Sequence, residues 1–86
     1  MENLSWNPLK SERLKKTRGV SFEEIVASKF IDIRKHPTKE NQRILIYAYK
    51  GYIWAVPYVK TAGGLFLKTI YPSRKFTKLY KKGEIL

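Results

Sequence analysis

The 86-residue chain contains no cysteine, a single histidine, one methionine and only seven acidic residues. Without thiols there are no disulfide staples and no thiolate metal sites, a composition compatible with a reducing cytoplasm, which is the compartment expected here. No apolar run approaches the ~18–20 residues that cross a bilayer. The polar start Met1-Glu2-Asn3 lacks the charged segment and apolar stretch of a leader, so a soluble protein with no membrane partner is expected. Metal sites are poorly served as well. Zinc takes several His, Cys or carboxylate ligands and magnesium takes clustered carboxylates, so neither a metal nor any other cofactor is expected. Gly63-Gly64 is not followed by the helix that a phosphate-cradling loop requires. A cysteine nucleophile is absent, and a serine triad would have one histidine to draw on.

What is present is a folding composition with a lopsided charge. Hydrophobic residues make up 43% of the chain and twelve residues are aromatic, too many for a disordered tail. Residues 1–86 are read as one domain, long enough to hide about 60–65% of the surface that the unfolded chain exposes. Six basic residues face five acids in residues 1–33, a net of +1, whereas residues 34–82 hold twelve basic residues against Glu40 alone. The whole excess of +11 therefore lies in the later part of the chain. Such a field repels itself in the folded state and attracts polyanions from a distance.

The local signals define seven elements. Asn7-Pro8 reads as an N-cap and first helical position, opening a surface helix from Pro8 to about Arg18 that Gly19 closes, with Leu9 and Leu14 as its apolar contacts. Ser21-Phe22-Glu23-Glu24 is a capping box flanked by the hydrophobic staple pair Val20 and Ile25, so a second helix starts there. A short strand follows over Phe30–Arg34, then a polar loop over His36–Asn41. Arg43–Lys50 and Tyr52–Val59 form a hairpin turning at Lys50-Gly51 if Tyr49 pairs with Tyr52. That register places Arg43, Leu45, Tyr47, Tyr49, Tyr52, Trp54, Val56 and Tyr58 on one face, and an aliphatic set on the other. Pro57 suggests an edge, a bulge or a strand end. Leu65–Tyr71 reads as a fourth strand, and Pro72-Ser73 introduces a last helix from Arg74 to about Lys82. On that helix Arg74, Lys75, Lys78, Lys81 and Lys82 share an arc of roughly 120°, opposite Phe76, Leu79 and Tyr80. The expected fold class is α+β: two N-terminal helices, a four-stranded mainly antiparallel sheet and a C-terminal helix. The helices are expected mainly on the aliphatic face, leaving the aromatic face open or covered by a partner.

Basic residues interleaved with aromatic ones suit RNA, because cations meet phosphates and aromatic faces stack on unpaired bases. Lys78, Lys81 and Lys82 are the candidate phosphate contacts, with Tyr47 and Trp54 as stacking platforms or, equally, members of a cross-strand ladder. RNA can be cut without a metal when its 2′-hydroxyl attacks the neighbouring phosphorus, a step that needs proton transfer, charge stabilisation and alignment. Arg74 and Lys75 are placed to hold the phosphate at a helix start. Arg43 can be a second phosphate ligand or an edge-strand solubiliser. Histidine is the side chain suited to proton transfer near neutral pH, so His36 can move a proton or be an ordinary loop residue, and Tyr80 can donate a proton or pack in the core.

Trp6-Asn7-Pro8-x-Lys10, Arg18-Gly19-Val20-Ser21-Phe22-Glu23-Glu24, an Arg43-led hairpin and Ser73-Arg74-Lys75-x-Thr77 before a closing basic helix together resemble the BrnT toxins. The likeness covers nearly the whole chain. It implies a RelE-related fold and a metal-independent endoribonuclease of a type II toxin–antitoxin pair, with RNA as substrate. It further implies masking by an antitoxin, typically a ribbon-helix-helix protein, through which alone the toxin would reach an operator in DNA. Arg43, Arg74, Lys75, Thr77 and Tyr80 are the matching positions to which the resemblance assigns function. Arg18 stands where the family pattern has histidine. The alternative is a non-catalytic nucleic-acid-binding or antitoxin-binding module of the same fold.

Overall fold

The computed structural model describes residues 3–36, 38–40 and 42–83. Met1, Glu2, Pro37, Asn41 and Glu84, which entered the reading of the chain's start, loop and charge, lie outside them. Within the described residues the order is β1 (Leu4–Ser5), α1 (Pro8–Arg18), α2 (Phe22–Val26), β2 (Lys29–Lys35), β3 (Arg43–Tyr49), β4 (Tyr52–Thr61), β5 (Gly64–Leu67), β6 (Tyr71–Pro72) and α3 (Arg74–Lys81). The sheet runs β1-β5-β4-β3-β2, with β6 pairing β4 beside the end of β5. Six strands replace the four expected: β1 is two residues long and too short to show a period, and the strand expected over Leu65–Tyr71 breaks into β5 and β6. The β1–β5 pair is parallel and the others are antiparallel.

Local chemistry explains the ends of the elements. Asn7 Oδ1 accepts from the Leu9 and Lys10 amides at 2.9 and 3.3 Å, and Gly19 closes α1 in the left-handed region. Both halves of the capping box are formed at α2. Lys50 and Gly51 both have positive φ, 51° and 76°, the type I′ geometry that pairs Tyr49 with Tyr52 as expected. Gly64 has φ 146°, and a Cβ there would lie 2.2 Å from the Asn3 carbonyl oxygen, so the approach of the N-terminal segment to β5 requires glycine.

Pro57 interrupts nothing, contrary to the expectation of an edge, bulge or strand end. Its carbonyl accepts from Lys68 N–H at 2.8 Å, so its nitrogen faces that same side. The partners there, β6 at Trp54–Ala55 and β5 from Tyr58 onward, leave Pro57 in the gap between them, where no donor is needed.

Helices cover both faces, which corrects the one-sided arrangement expected. α1 and α2 pack Leu14, Val20, Phe22 and Ile25 on Leu45, Tyr47, Val56 and Tyr58, the aromatic face of the hairpin. Trp6 stacks on Phe22 at 5.8 Å to extend this core, while Leu9 points outward, 69% exposed. α3 packs Phe76 and Tyr80 on Ile44, Ile46, Ile53 and Ala55, the aliphatic face. Both faces of the hairpin are apolar because both are buried. Edge strand β2 runs beyond the cover of α1 and α2, leaving Phe30 and Ile33 39% and 44% exposed.

Candidate functional site: the cationic face of α3

α3 is fixed to the sheet by polar contacts at its start. Ser73 caps it by accepting from Phe76 N–H at 3.1 Å, and the Ser73 amide donates to the Ile53 carbonyl at 2.9 Å. Thr77, buried, accepts from the Ile53 amide at 2.9 Å. With Phe76, Thr77 and Tyr80 turned to the sheet, Arg74, Lys75, Lys78, Lys81 and Lys82 are left on the exposed side of the helix.

β2 adds two cations that the reading of the sequence missed. Arg34 pairs with Ile44 and Lys29 with Ala48, which puts both on the α3 face. The signal was obscured by a register shift between Phe30 and Asp32, which breaks the simple alternation of the strand. The Arg34 guanidinium and the Lys75 ammonium lie 5.8 and 5.9 Å from the same Phe76 ring. At the other end of α3, Lys29 Nζ stands 6.0 Å from the Tyr80 ring. Asp32 is the one carboxylate on this face among the described residues, and it meets Arg34 Nε at 3.0 Å. The Nε–H is not aligned on the carboxylate, and both side chains are nearly half exposed, so this ion pair holds the guanidinium only loosely. Seven cations therefore face one acid. On α1 and α2 five cations stand against three acids, with Lys15 and Glu24 paired at 2.9 Å.

No family model matches the chain, and no curated protein does. Among solved structures it is similar to the 1.1 Å crystal structure of the Brucella abortus ribonuclease toxin BrnT. The TM-score is 0.55 with 19% identity, over 85% of this chain and 97% of that one. The fold is BrnT-like. Within this BrnT-like fold, the residues proposed from sequence fall in four places. Arg74 and Lys75 stand at the start of α3, beside Arg34. Tyr80 lies a turn and a half further on, half-buried, with Lys78, Lys81 and Lys82 nearby along the helix. Arg43 pairs with Lys35 and Tyr58, on the opposite face of the sheet from α3. His36 is in the loop between β2 and β3, where its Nδ1 accepts from the Thr38 and Lys39 amides at 3.2 and 3.1 Å. Those two donors assign the neutral ring's proton to Nε2, so the nitrogen that would serve as a base is already engaged in holding the loop.

Of the two proposed stacking platforms, Tyr47 and Trp54, which share the face covered by α1 and α2, Tyr47 requires correction. Tyr47 is 2% exposed, and burial raises its phenol pKa above the ordinary value. A base has no access to that ring. Trp54 donates its indole N–H to the Tyr49 carbonyl at 3.2 Å and meets Tyr52 edge to face, so its orientation is set by the hairpin.

Proposed function

We propose that the protein is a metal-independent ribonuclease toxin whose RNA-binding surface is the cationic face of α3. The observation that carries this reading is the gathering of cations on one face of a BrnT-like fold that has one carboxylate on that face among the described residues. The RelE relationship belongs to the same reading. Arg74, Lys75 and Arg34 bracket the position of the scissile phosphate, where three positive charges would stabilise the extra negative charge that develops on the phosphoryl oxygens. The 2′-oxygen forms a bond to phosphorus as the bond to the 5′-oxygen breaks, giving a 2′,3′-cyclic phosphate. The proton lost by the 2′-hydroxyl and the one gained by the 5′-oxygen must be carried by side chains or water. Tyr80, half-buried on α3, is assigned the proton-donor role. Arg43 and His36, on the other face and in the loop, are assigned supporting contacts to RNA that extends past the end of the sheet.

An exposed cationic surface of this kind also calls for a cover when the toxin is idle. An acidic antitoxin segment provides it, in a cytoplasmic pair in which the antitoxin, a ribbon-helix-helix protein, alone contacts operator DNA. Expression alone is expected to arrest growth and degrade RNA, and expression with the antitoxin to do neither. Arg74→Ala and Lys75→Ala should each relieve the arrest and lower cleavage by about 10²-fold, the usual scale for losing one charge-stabilising contact. RNA left intact by the isolated wild-type protein would refute the enzymatic assignment. The separation of Arg43 and His36 from α3 favours the second reading, a binding module without catalysis, for which RNA is retained by the protein but not cut.

A further inference from the structure

The C-terminal end of α3 carries a second cationic feature that the scissile-phosphate assignment leaves unused. A cleft of about 370 Å³ opens between the start of β2, the hairpin turn and the last turn of α3. Lys29, Lys50 and Lys81 line it, one from each of these elements, and no carboxylate is among its described lining residues. Neither ion pair of the described residues involves any of the three. Two of them lie near aromatic rings instead, Lys29 near Tyr80 at 6.0 Å and Lys50 near Tyr49 at 5.3 Å. Ala48 and Ile53 supply an apolar floor, which weakens the screening of charge within the cleft.

Lys50 provides a separate argument. Its φ of 51° is the one positive value among the non-glycine residues described, at a turn position where asparagine, aspartate or glycine is favoured. A lysine held there against local preference is the pattern expected of a functional residue. The partial negative charge at the end of α3 subtracts only about half a unit from this cluster.

From this we infer that the cleft holds a backbone phosphate of single-stranded RNA, as a subsite separate from the one at Arg74 and Lys75. The inference rests on the ribonuclease reading and extends it. The eight residues from Arg74 to Lys81 rise roughly 10 Å along the helix, so one short strand of RNA lying over α3 reaches both ends. The cleft contacts phosphate rather than base and so contributes affinity without sequence preference.

The test compares wild type with Lys29→Gln/Lys50→Asn/Lys81→Gln and with a control of equal charge, Lys16→Gln/Lys60→Gln/Lys68→Gln, after circular dichroism has shown that all three are folded. Binding of a short 2′-O-methyl RNA, which cannot be cut by 2′-attack, is followed by fluorescence anisotropy over a range of salt. Loss of one phosphate contact should reduce the slope of log K against log salt by about 0.7 in the cleft variant and leave the control close to wild type. Cleavage of unmodified RNA by the cleft variant should show a raised KM. Equal slopes in the two variants would mean that net charge alone is at work and would overturn the subsite. An unchanged KM in the cleft variant of an active ribonuclease would overturn the subsite and leave the ribonuclease reading standing. Failure of the wild type to bind or cut RNA would remove both. Loss of binding to an acidic antitoxin with the RNA slope intact would reassign the cleft to a protein partner.

Discussion

Glu24 joins three elements through one carboxylate. Its Oε1 accepts from the Ser21 amide and hydroxyl at 3.0 and 3.2 Å, and its Oε2 accepts from Lys15 on α1 and from the Tyr49 hydroxyl on β3 at 2.9 and 3.3 Å. The hydrogen bond from Lys15, followed by that from the Ser21 backbone, holds its pKa at about 2, against 4.5 for an ordinary glutamate. Beside it the Ser11 hydroxyl donates to Glu23 and lowers that carboxyl too. In both cases the unfolded chain takes up the proton at higher pH than the folded one, so the stabilisation is complete above the ordinary carboxylate range and is lost on acidification. For Glu24 the loss runs from about pH 5 down to pH 2, bounded by its ordinary and folded values. Thermal unfolding followed over that window should show a falling midpoint, and Glu24→Gln should flatten the fall while lowering the midpoint at neutral pH. A variant with the same acid limb as wild type would show that this carboxylate does not couple folding to pH.

At the scale of elements, α3 depends on Thr77 as much as on its apolar side. The hydroxyl is the acceptor for the Ile53 amide, and both residues are buried, so removing the oxygen leaves an N–H without a partner. Thr77→Val keeps the shape and should cost about 1–3 kcal/mol. In a domain of this size that corresponds to a drop of roughly 4–8 °C in Tm for each kcal/mol, whereas Thr77→Ser, which retains the acceptor, should lose less. A Thr77→Val protein as stable as wild type would show that the hydroxyl does not support α3.

The elements also show where the sequence was legible. The caps at Asn7 and Ser21 and the turn at Lys50-Gly51 are local chemistry with fixed spacing, and each stands where it was expected. Which face of the hairpin the helices would cover was not legible, because Leu45, Tyr47 and Val56 are as apolar as Ile44, Ile46 and Ile53 and all six are buried. The arc of cations on α3 could be read from periodicity within one helix. Lys29 and Arg34 could not be joined to it, since their face depends on a register shift and a tertiary contact that spacing alone does not specify.

For the whole molecule, the decisive asymmetry is electrostatic. On α1 and α2 acids are interspersed among the cations and Lys15 pairs with Glu24, whereas the α3 side collects cations around a single acid among the described residues. Bringing like charges together opposes folding, and the same potential favours contact with RNA. Salt should therefore act with opposite signs on the two equilibria. Between 0.01 and 0.15 M the screening length falls from about 30 to about 8 Å, which relieves repulsion between neighbouring cations on α3 and β2 more than it weakens the Lys15–Glu24 contact at 2.9 Å. Across that range Tm should rise while affinity for single-stranded RNA falls. Replacing Lys78 and Lys82 with glutamine should flatten both trends together, because the same surface produces both, whereas glutamine at Lys10 and Lys16 should flatten neither. A Tm that falls with salt in the wild-type protein would mean that its ion pairs outweigh the repulsion on the α3 face, and the concentration of positive charge there would no longer account for either equilibrium.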